Sequence, residues 1–321
     1  MIIDIIIIVI ATFSTWYASE ILSRGTEGLG NKFNLSSSVK GATLDAVGSS
    51  FPEFCTVVFC LIAGSFEAGI GAITGSAMFN ILIIPSLCVI LTKNMTINKD
   101  VVYRDGLLYI ITVILLILSI MNGSPNPIND QEFFINGSIG ILAIIIYIIY
   151  TIILIIKSKE VNNNTINRQP TLSKIILFLI LGMGGIAISI HYLVNSSLSL
   201  CNNLNLSEGI AGITILAAAT SLPDTFLSII SAKKGESDAA LSNTLGSNTF
   251  NILICLGVPI FYLGGIYFNW IENSGILFYL LFSSILSMLI IRYKWELTKT
   301  GSTIMLITYF IFIILVVLQI L

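Results

Sequence analysis

Uninterrupted apolar runs of the length needed to cross a bilayer, about 20 helical residues, recur along nearly the whole chain. Ten can be counted, at residues 2–22, 41–64, 68–91, 106–121, 133–156, 175–193, 212–232, 239–262, 275–291 and 302–321. Barrel strands need short alternating segments, and these continuous stretches of Ile and Leu do not alternate. With 55% of 321 residues hydrophobic and 10% charged, the composition excludes an ordinary water-soluble domain. The first run lacks a basic leader and an Ala-x-Ala-like cleavage site, so it is expected to be retained as a span.

Ten spans place successive connections on alternating sides, and all fifteen Lys and Arg residues then fall on one side. They flank the connections before spans two, four, six, eight and ten, from Arg24, Lys32 and Lys40 to Arg292, Lys294 and Lys299. By the positive-inside rule that side is cytoplasmic and both termini are expected to be extracytoplasmic. One missed span would have scattered the cations over both faces, so the partition also checks the count. No basic patch is left over to suggest nucleic-acid binding.

The segment GATLDAVGSSFPEF at Gly41 aligns with GITILAAATSLPDT at Gly212, an offset of 171, and the same shift carries GSAMFNILI at Gly75 onto GSNTFNILI at Gly246. Fourteen of the 43 positions from Gly41 to Ile83 are identical, among them Gly, Ser, Pro and Asn residues that apolar low complexity would not supply. Spans one to five thus repeat as six to ten. An odd number of spans per copy makes the second copy enter from the opposite face, the inverted-topology repeat of many secondary transporters. The expected fold is an all-α integral membrane protein of ten transmembrane helices. Residues 1–156 form the first repeat, 157–174 a short cytoplasmic linker, and 175–321 the second repeat.

A carboxylate at the centre of a membrane helix costs roughly 2.5–3.5 kcal/mol to insert and is a functional candidate by default. Glu53 sits at the middle of the second run, and the offset puts Asp224 at the matching depth. Ser49 and Ser50 precede Glu53 by four and three residues, as Thr220 and Ser221 precede Asp224, so hydroxyls are expected on each carboxylate's helix face. Pro52 and Pro223 lack an N–H, which is expected to leave the carbonyls around Ala46 and Ala217 without intrahelical donors. Ser76 with Asn80, and Ser247 with Asn251, add oxygens at i and i+4. The set is hard and oxygen-only, suited to Ca2+ and Na+ and poorly to Zn2+ or Cu+.

Two carboxylates balance one Ca2+, while two or three Na+ can use the same oxygens alternately, and competition for one charge pair is what makes an exchanger. Cys55, Cys60, Cys88, Cys201 and Cys255 show no CxxC spacing and are expected to be buried thiols. His191 has no ligand-spaced partner and is expected to pack on span six. Asp4 and Glu20 lie near span ends, where snorkelling or pairing with loop lysines suffices.

The GSSFPE and TSLPD segments, each followed by GSxxFN, resemble the two alpha repeats of the Na+/Ca2+ exchanger family within the cation/Ca2+ exchanger superfamily. The resemblance implies antiport of Na+ for Ca2+ by alternating access, with spans one and six sliding over the other eight, in a multi-pass protein of the plasma or cell membrane. It implies Glu53 and Asp224 as Ca2+ ligands, and Ser49, Ser50, Thr220, Ser221, Ser76, Ser247 and the carbonyls of Ala46 and Ala217 as Na+ ligands. Asn80 and Asn251 would complete the ring. No cofactor and no enzyme activity are implied, only Ca2+ and Na+ as substrates of a monomer in a lipid bilayer.

The second repeat is also similar to K+-dependent exchangers, which typically carry Asp where this chain has Asn251, so K+-independent exchange is expected. Asp45 stands where an apolar residue is usual; it either draws cations into a vestibule or pairs with a loop Lys. The loop from Lys157 to Lys174 is too short for the large Ca2+-sensing region of animal exchangers. A H+/Ca2+ antiporter is the nearest rival reading, since a mid-membrane carboxylate can carry a proton. An intramembrane aspartyl protease lacks its YD and GxGD pattern here, and a passive channel is separated only by flux coupling.

Overall fold

The computed structural model describes residues 1–129, 131–158, 171–318 and 320. Ten helices long and apolar enough to span a membrane run through it: Ile2–Lys32, Ser37–Ile62, Phe66–Thr92, Lys99–Met121, Gly137–Ile156, Leu172–Asn203, Glu208–Lys233, Ser237–Tyr262, Trp270–Arg292 and Lys299–Val317. They are numbered one to ten below. The expected linker, 157–174, lies largely outside the described residues, as do its Lys159 and Arg168.

The offset of 171 governs where helices start and stop. Ser36 accepts from the N–H of Val39, and its counterpart Ser207 accepts from Ile210. Asn98 and Asn269 likewise cap spans four and nine, accepting from Asp100 and Glu272. Positive φ recurs at Asn34 and Asn205, at Gly64 and Gly235, and at Lys93 and Gly264, so three turns are built twice. Spans one and six are longer than their apolar cores, reaching Lys32 and Asn203, and they pack antiparallel, so each polar end lies beside the other's apolar start. Leu22 packs on Gly182, Ala18 on Gly185 and Leu179 on Gly25.

The ten-helix membrane fold is as expected, and short strands outside the helices tie the loops at each end. At one end Met95–Thr96 pairs with Glu296–Leu297. At the other, Glu132–Asn136 lies between Ser124–Pro125 and Gly265–Asn269. The first pair joins loops three-four and nine-ten, the second joins loops four-five and eight-nine. Each sheet therefore links only connections that the alternation of ten spans puts on a common side.

The two repeats interlock through glycines. A Cβ on Gly41 would meet the backbone of Ala239 at 2.8 Å, and the repeat-related Gly212 lies against Ala68. Gly246 sits against Ala42 with 2.7 Å to its carbonyl, and Gly75 against Ile213 with 2.5 Å. Span two thus packs on span eight and span seven on span three, with backbones close because no side chain intervenes.

Spans three and eight form the centre, 83% buried over their most apolar stretch, whereas spans one and six are 22% and 28% buried and expose Ile and Leu on the outside. They contribute a separate apolar cluster, Ala18 and Leu22 against Ile186, Ile190 and Leu193. The central spans are further braced by Asp105, which is buried and accepts from Arg104 (2.7 Å), Ser242 (2.9 Å) and Tyr150 (2.9 Å). Spans four, five and eight are held by that one carboxylate.

Candidate cation-binding site

Spans two and seven are each broken at the serine two residues before the proline. Ser50 has φ −93 and ψ 4, Ser221 has φ −78 and ψ −4, and a new helix starts at Phe51 and at Leu222 with the proline in its first turn. Each carboxylate thereby sits in the first turn of a half-helix, Glu53 in one and Asp224 in the other. A wider, π-helical turn precedes each break, at Gly41–Asp45 and Gly212–Leu216. Two more begin beside the asparagines, at Phe79–Ile83 and Asn251–Leu256.

Two sequence expectations change with this geometry. The carbonyls of Ala46 and Ala217 are not donor-free, since they accept from the N–H of Ser50 and Ser221, both at 3.0 Å. The prolines instead leave Gly48 and Ala219, four residues earlier, without that donor. A second lone pair on Ala46 and Ala217 still remains available. The shared helix face also fails, because the break at Ser50 and Ser221 interrupts the spacing. Ser49 turns to the carbonyl of Asp45 (2.7 Å) and to Asn243 (3.4 Å) rather than to Glu53. Thr220 lies 3.4 Å from the Ala217 carbonyl.

All twelve candidate residues are nevertheless buried, and seven of them join two hydrogen-bonded sets, each drawing on both repeats. Ser76 donates to Glu53 Oε1 at 3.0 Å, and Ser221 donates to Ser76 at 2.9 Å. Ser247 donates to Asp224 Oδ1 at 2.7 Å, and Asn80 to Asp224 Oδ2 at 3.0 Å. Asn251 lies 3.5 Å from Ser76. Ser50 Oγ, Glu53 Oε2 and Asn80 Oδ1 are buried with no hydrogen-bond partner among the described residues. Buried oxygens left this way are costly unless a cation completes them.

The remaining candidates fall elsewhere. Asp45 is buried with Lys40 Nζ 3.9 Å from its carboxylate, so the pairing alternative is the one the geometry carries. An Asp45→Asn variant is expected to keep its Ca2+ KM within about twofold of wild type, the effect typical of a weak ion pair, in flux measured from the Lys40 face. Glu20 pairs with Arg24 at 3.0 Å, and Asp4 with the N-terminal ammonium at 2.7 Å, in place of loop lysines. The five cysteines are buried and unbridged. Among the described residues no three of His, Cys, Asp and Glu come together, so no transition-metal cluster competes with the oxygen set.

Asn243 is the residue that sequence reasoning missed. It donates to Ser228 (3.0 Å) and to the Asp224 carbonyl (3.4 Å) and accepts from Ser49. Its repeat counterpart is Ala72, so comparing the halves could not reveal it.

The sequence profile described as sodium/calcium exchanger protein matches residues 3–156 and 174–318, both repeats and all ten spans. The chain belongs to that family. Among its relatives, the sodium/calcium exchanger MaX1 of Methanosarcina acetivorans is 22% identical over 92% of this chain and 93% of its own. An uncharacterised membrane protein of Methanocaldococcus jannaschii is 27% identical over 74% of each chain. The human sodium/potassium/calcium exchanger 5 is 50% identical, but over only 58 residues. Solved structures of the sodium-calcium exchanger NCX_Mj superpose with a TM-score of 0.70 over 97% of both chains at 24% identity. As a member of the exchanger family, the chain is a multi-pass integral membrane antiporter rather than an enzyme, which removes the protease reading.

Proposed function

We propose that this exchanger moves Ca2+ against Na+ without K+, binding both at the ring centred on Glu53 and Asp224. The observation that carries the reading is the crossed wiring of that pair. Each carboxylate takes one bond from the serine of its own repeat, Ser76 or Ser247, and is tied to the other repeat as well, Asp224 by a bond from Asn80 and Glu53 through Ser221, which donates to Ser76. A cation seated there couples the two halves, which is what alternating access requires of a substrate.

Ca2+ takes six to eight oxygens and favours carboxylates, so Glu53 and Asp224 with Asn80 and Asn251 suit it. Na+ carries half the charge and is satisfied by fewer anionic oxygens. Ser49, Ser50, Thr220, Ser221, Ser76, Ser247 and the carbonyls of Ala46 and Ala217 supply neutral ones. Proton exchange would need only the carboxylates, so this surplus of hydroxyls favours Na+ over H+.

Spans one and six, poorly buried and joined to spans two, three and seven through a second apolar cluster apart from the main core, slide as a pair over the braced remainder. Their movement opens the ring to one face at a time.

Asn251 is neutral where K+-dependent exchangers typically carry Asp, and the charge at this position sets the K+ requirement. Asn251→Asp is expected to make Na+-driven Ca2+ flux rise about tenfold on adding K+, roughly 1.4 kcal/mol of coupling, while wild type responds little. Equal K+ responses in the two proteins, measured in the same vesicles, would remove Asn251 as the discriminating residue.

A further inference from the structure

The two halves are not in the same state, and the difference lies beside the ring. A cavity of about 230 Å³ between spans one and seven is lined by Trp16, Ser19, Glu20, Ser23 and Phe226, and it ends on Ser49 and Pro223. The repeat offset carries Trp16 onto Ala187, Glu20 onto His191 and Phe59 onto Ile230. The related hollow, between spans two and six, is lined by Phe59, Ala187, Ile188, His191 and Tyr192, and no ring residue lines it. There the Phe59 ring meets the His191 ring edge-on at 5.2 Å. In the first cavity the positions that match this pair are Ile230 and Glu20, which have no such ring contact, and the Trp16 ring stacks instead on Phe226 at 4.7 Å, leaving Ser49 reachable.

Ser19 gives the first cavity a polar lining that its packing does not explain. Its hydroxyl is buried, 4% exposed, and has no hydrogen-bond partner among the described residues. Ser19 lies one residue from Glu20, whose carboxylate is half exposed and paired only at the surface with Arg24. Ser49, at the inner end, hydrogen-bonds to Asn243, which in turn donates to the Asp224 carbonyl. The lining therefore offers a carboxylate, then a hydroxyl, then the ring, an oxygen path for a cation that cannot shed water into an apolar gap. On span one the cavity faces the Lys32 half, and on span seven the stretch from Asp224 to Lys233, so it runs towards the loops rich in Lys and Arg.

From this we infer that the gap between spans one and seven is the cation portal on the Lys- and Arg-rich face, with Glu20 as its capture carboxylate and Ser19 as a relay ligand. Phe59 and His191 close the symmetry-related portal on the opposite face. The inference rests on the exchange reading above for the identity of the ions, but not for the existence of the portal. Glu20 acts before the ring, and sliding of spans one and six interchanges the two arrangements.

The test uses the full-length exchanger in vesicles. Ser19→Cys is treated from either side with a membrane-impermeant cationic methanethiosulfonate, with Lys234→Cys as the standard for the basic face. Labelling is read by mass and flux by Ca2+ uptake. Ser19→Cys is expected to react from the basic face alone, to be protected by Ca2+ or Na+, and to lose flux once labelled. Reaction only from the other face, no reaction, or labelling without loss of flux would overturn the portal.

Glu20→Gln disturbs only a surface pair and should fold. It is expected to raise the Ca2+ KM on the basic face several-fold at unchanged kcat, leaving the opposite face alone. An unchanged KM, or equal shifts on both faces, would remove Glu20 from the portal. Wild type without any Na+-driven flux would sink the exchange reading, while mass-read labelling would still judge the portal.

Discussion

Replacing Glu53 by Gln is expected to lower Na+-driven Ca2+ uptake at least about 100-fold while leaving the protein folded. The substitution keeps the shape of the side chain, and Ser76 can still donate to its remaining carbonyl oxygen. What disappears is one of the two charges that balance Ca2+. Removing one partner of a buried charge pair costs roughly 3–5 kcal/mol, which corresponds to about two to three and a half decades in an equilibrium constant. In the exchanger the missing partner is felt by the bound ion. Asp224→Asn should match it, because the bond from Asn80 to Asp224 and the chain from Ser221 through Ser76 to Glu53 tie both carboxylates to both halves. Flux retained in Glu53→Gln, with the protein present at normal levels, would take Glu53 out of the site.

Gly75→Ala is expected to cost about tenfold in flux together with a lowered melting temperature. A Cβ at that position would lie 2.5 Å from the Ile213 carbonyl and 2.8 Å from Ala217 Cβ, both on span seven. Backbone cannot swing aside as a side chain can, so spans three and seven must part, and overpacking of this kind costs roughly 1–3 kcal/mol. The adjacent Ser76 bridges Glu53 and Ser221, so the same displacement loosens the ring. Gly184→Ala, where an added Cβ meets nothing within 4 Å, is the control and should change neither flux nor melting. Paired flux and thermal-melt measurements on the two variants check both halves of the argument.

Much of this was legible because the repeat doubles every signal. Glu53 and Asp224 stood out by cost and by register, and Ser36, Asn98, Asn34 and Gly64 cap or turn the chain where their counterparts 171 residues later do the same. Four things were not legible, each for a physical reason. The helix break falls at Ser50 and Ser221 rather than at the prolines, since a proline is comfortable in a first turn and the strain passes to the residues before it. That turned Ser49 and Thr220 to backbone carbonyls instead of the following carboxylate.

Spans one and six outrun their apolar cores because they pack antiparallel, so the polar end of each lies beside the apolar start of the other, a tertiary effect that hydropathy does not register. Asn243 carries no repeat signal, its partner being Ala72, and only the fold brings it to Asp224. The asymmetry of the portals belongs to conformation, which a sequence encodes only as a choice between two states.

The central claim is that one pair of carboxylates serves Ca2+ and Na+ in turn. Its most direct test is Ca2+ uptake into vesicles of the purified wild-type exchanger, with an outward Na+ gradient, an outward proton gradient, or neither, each in the presence and absence of K+. The account predicts uptake driven by the Na+ gradient alone, undiminished without K+ and unmoved by the proton gradient. Uptake driven by the proton gradient and indifferent to Na+ would contradict it.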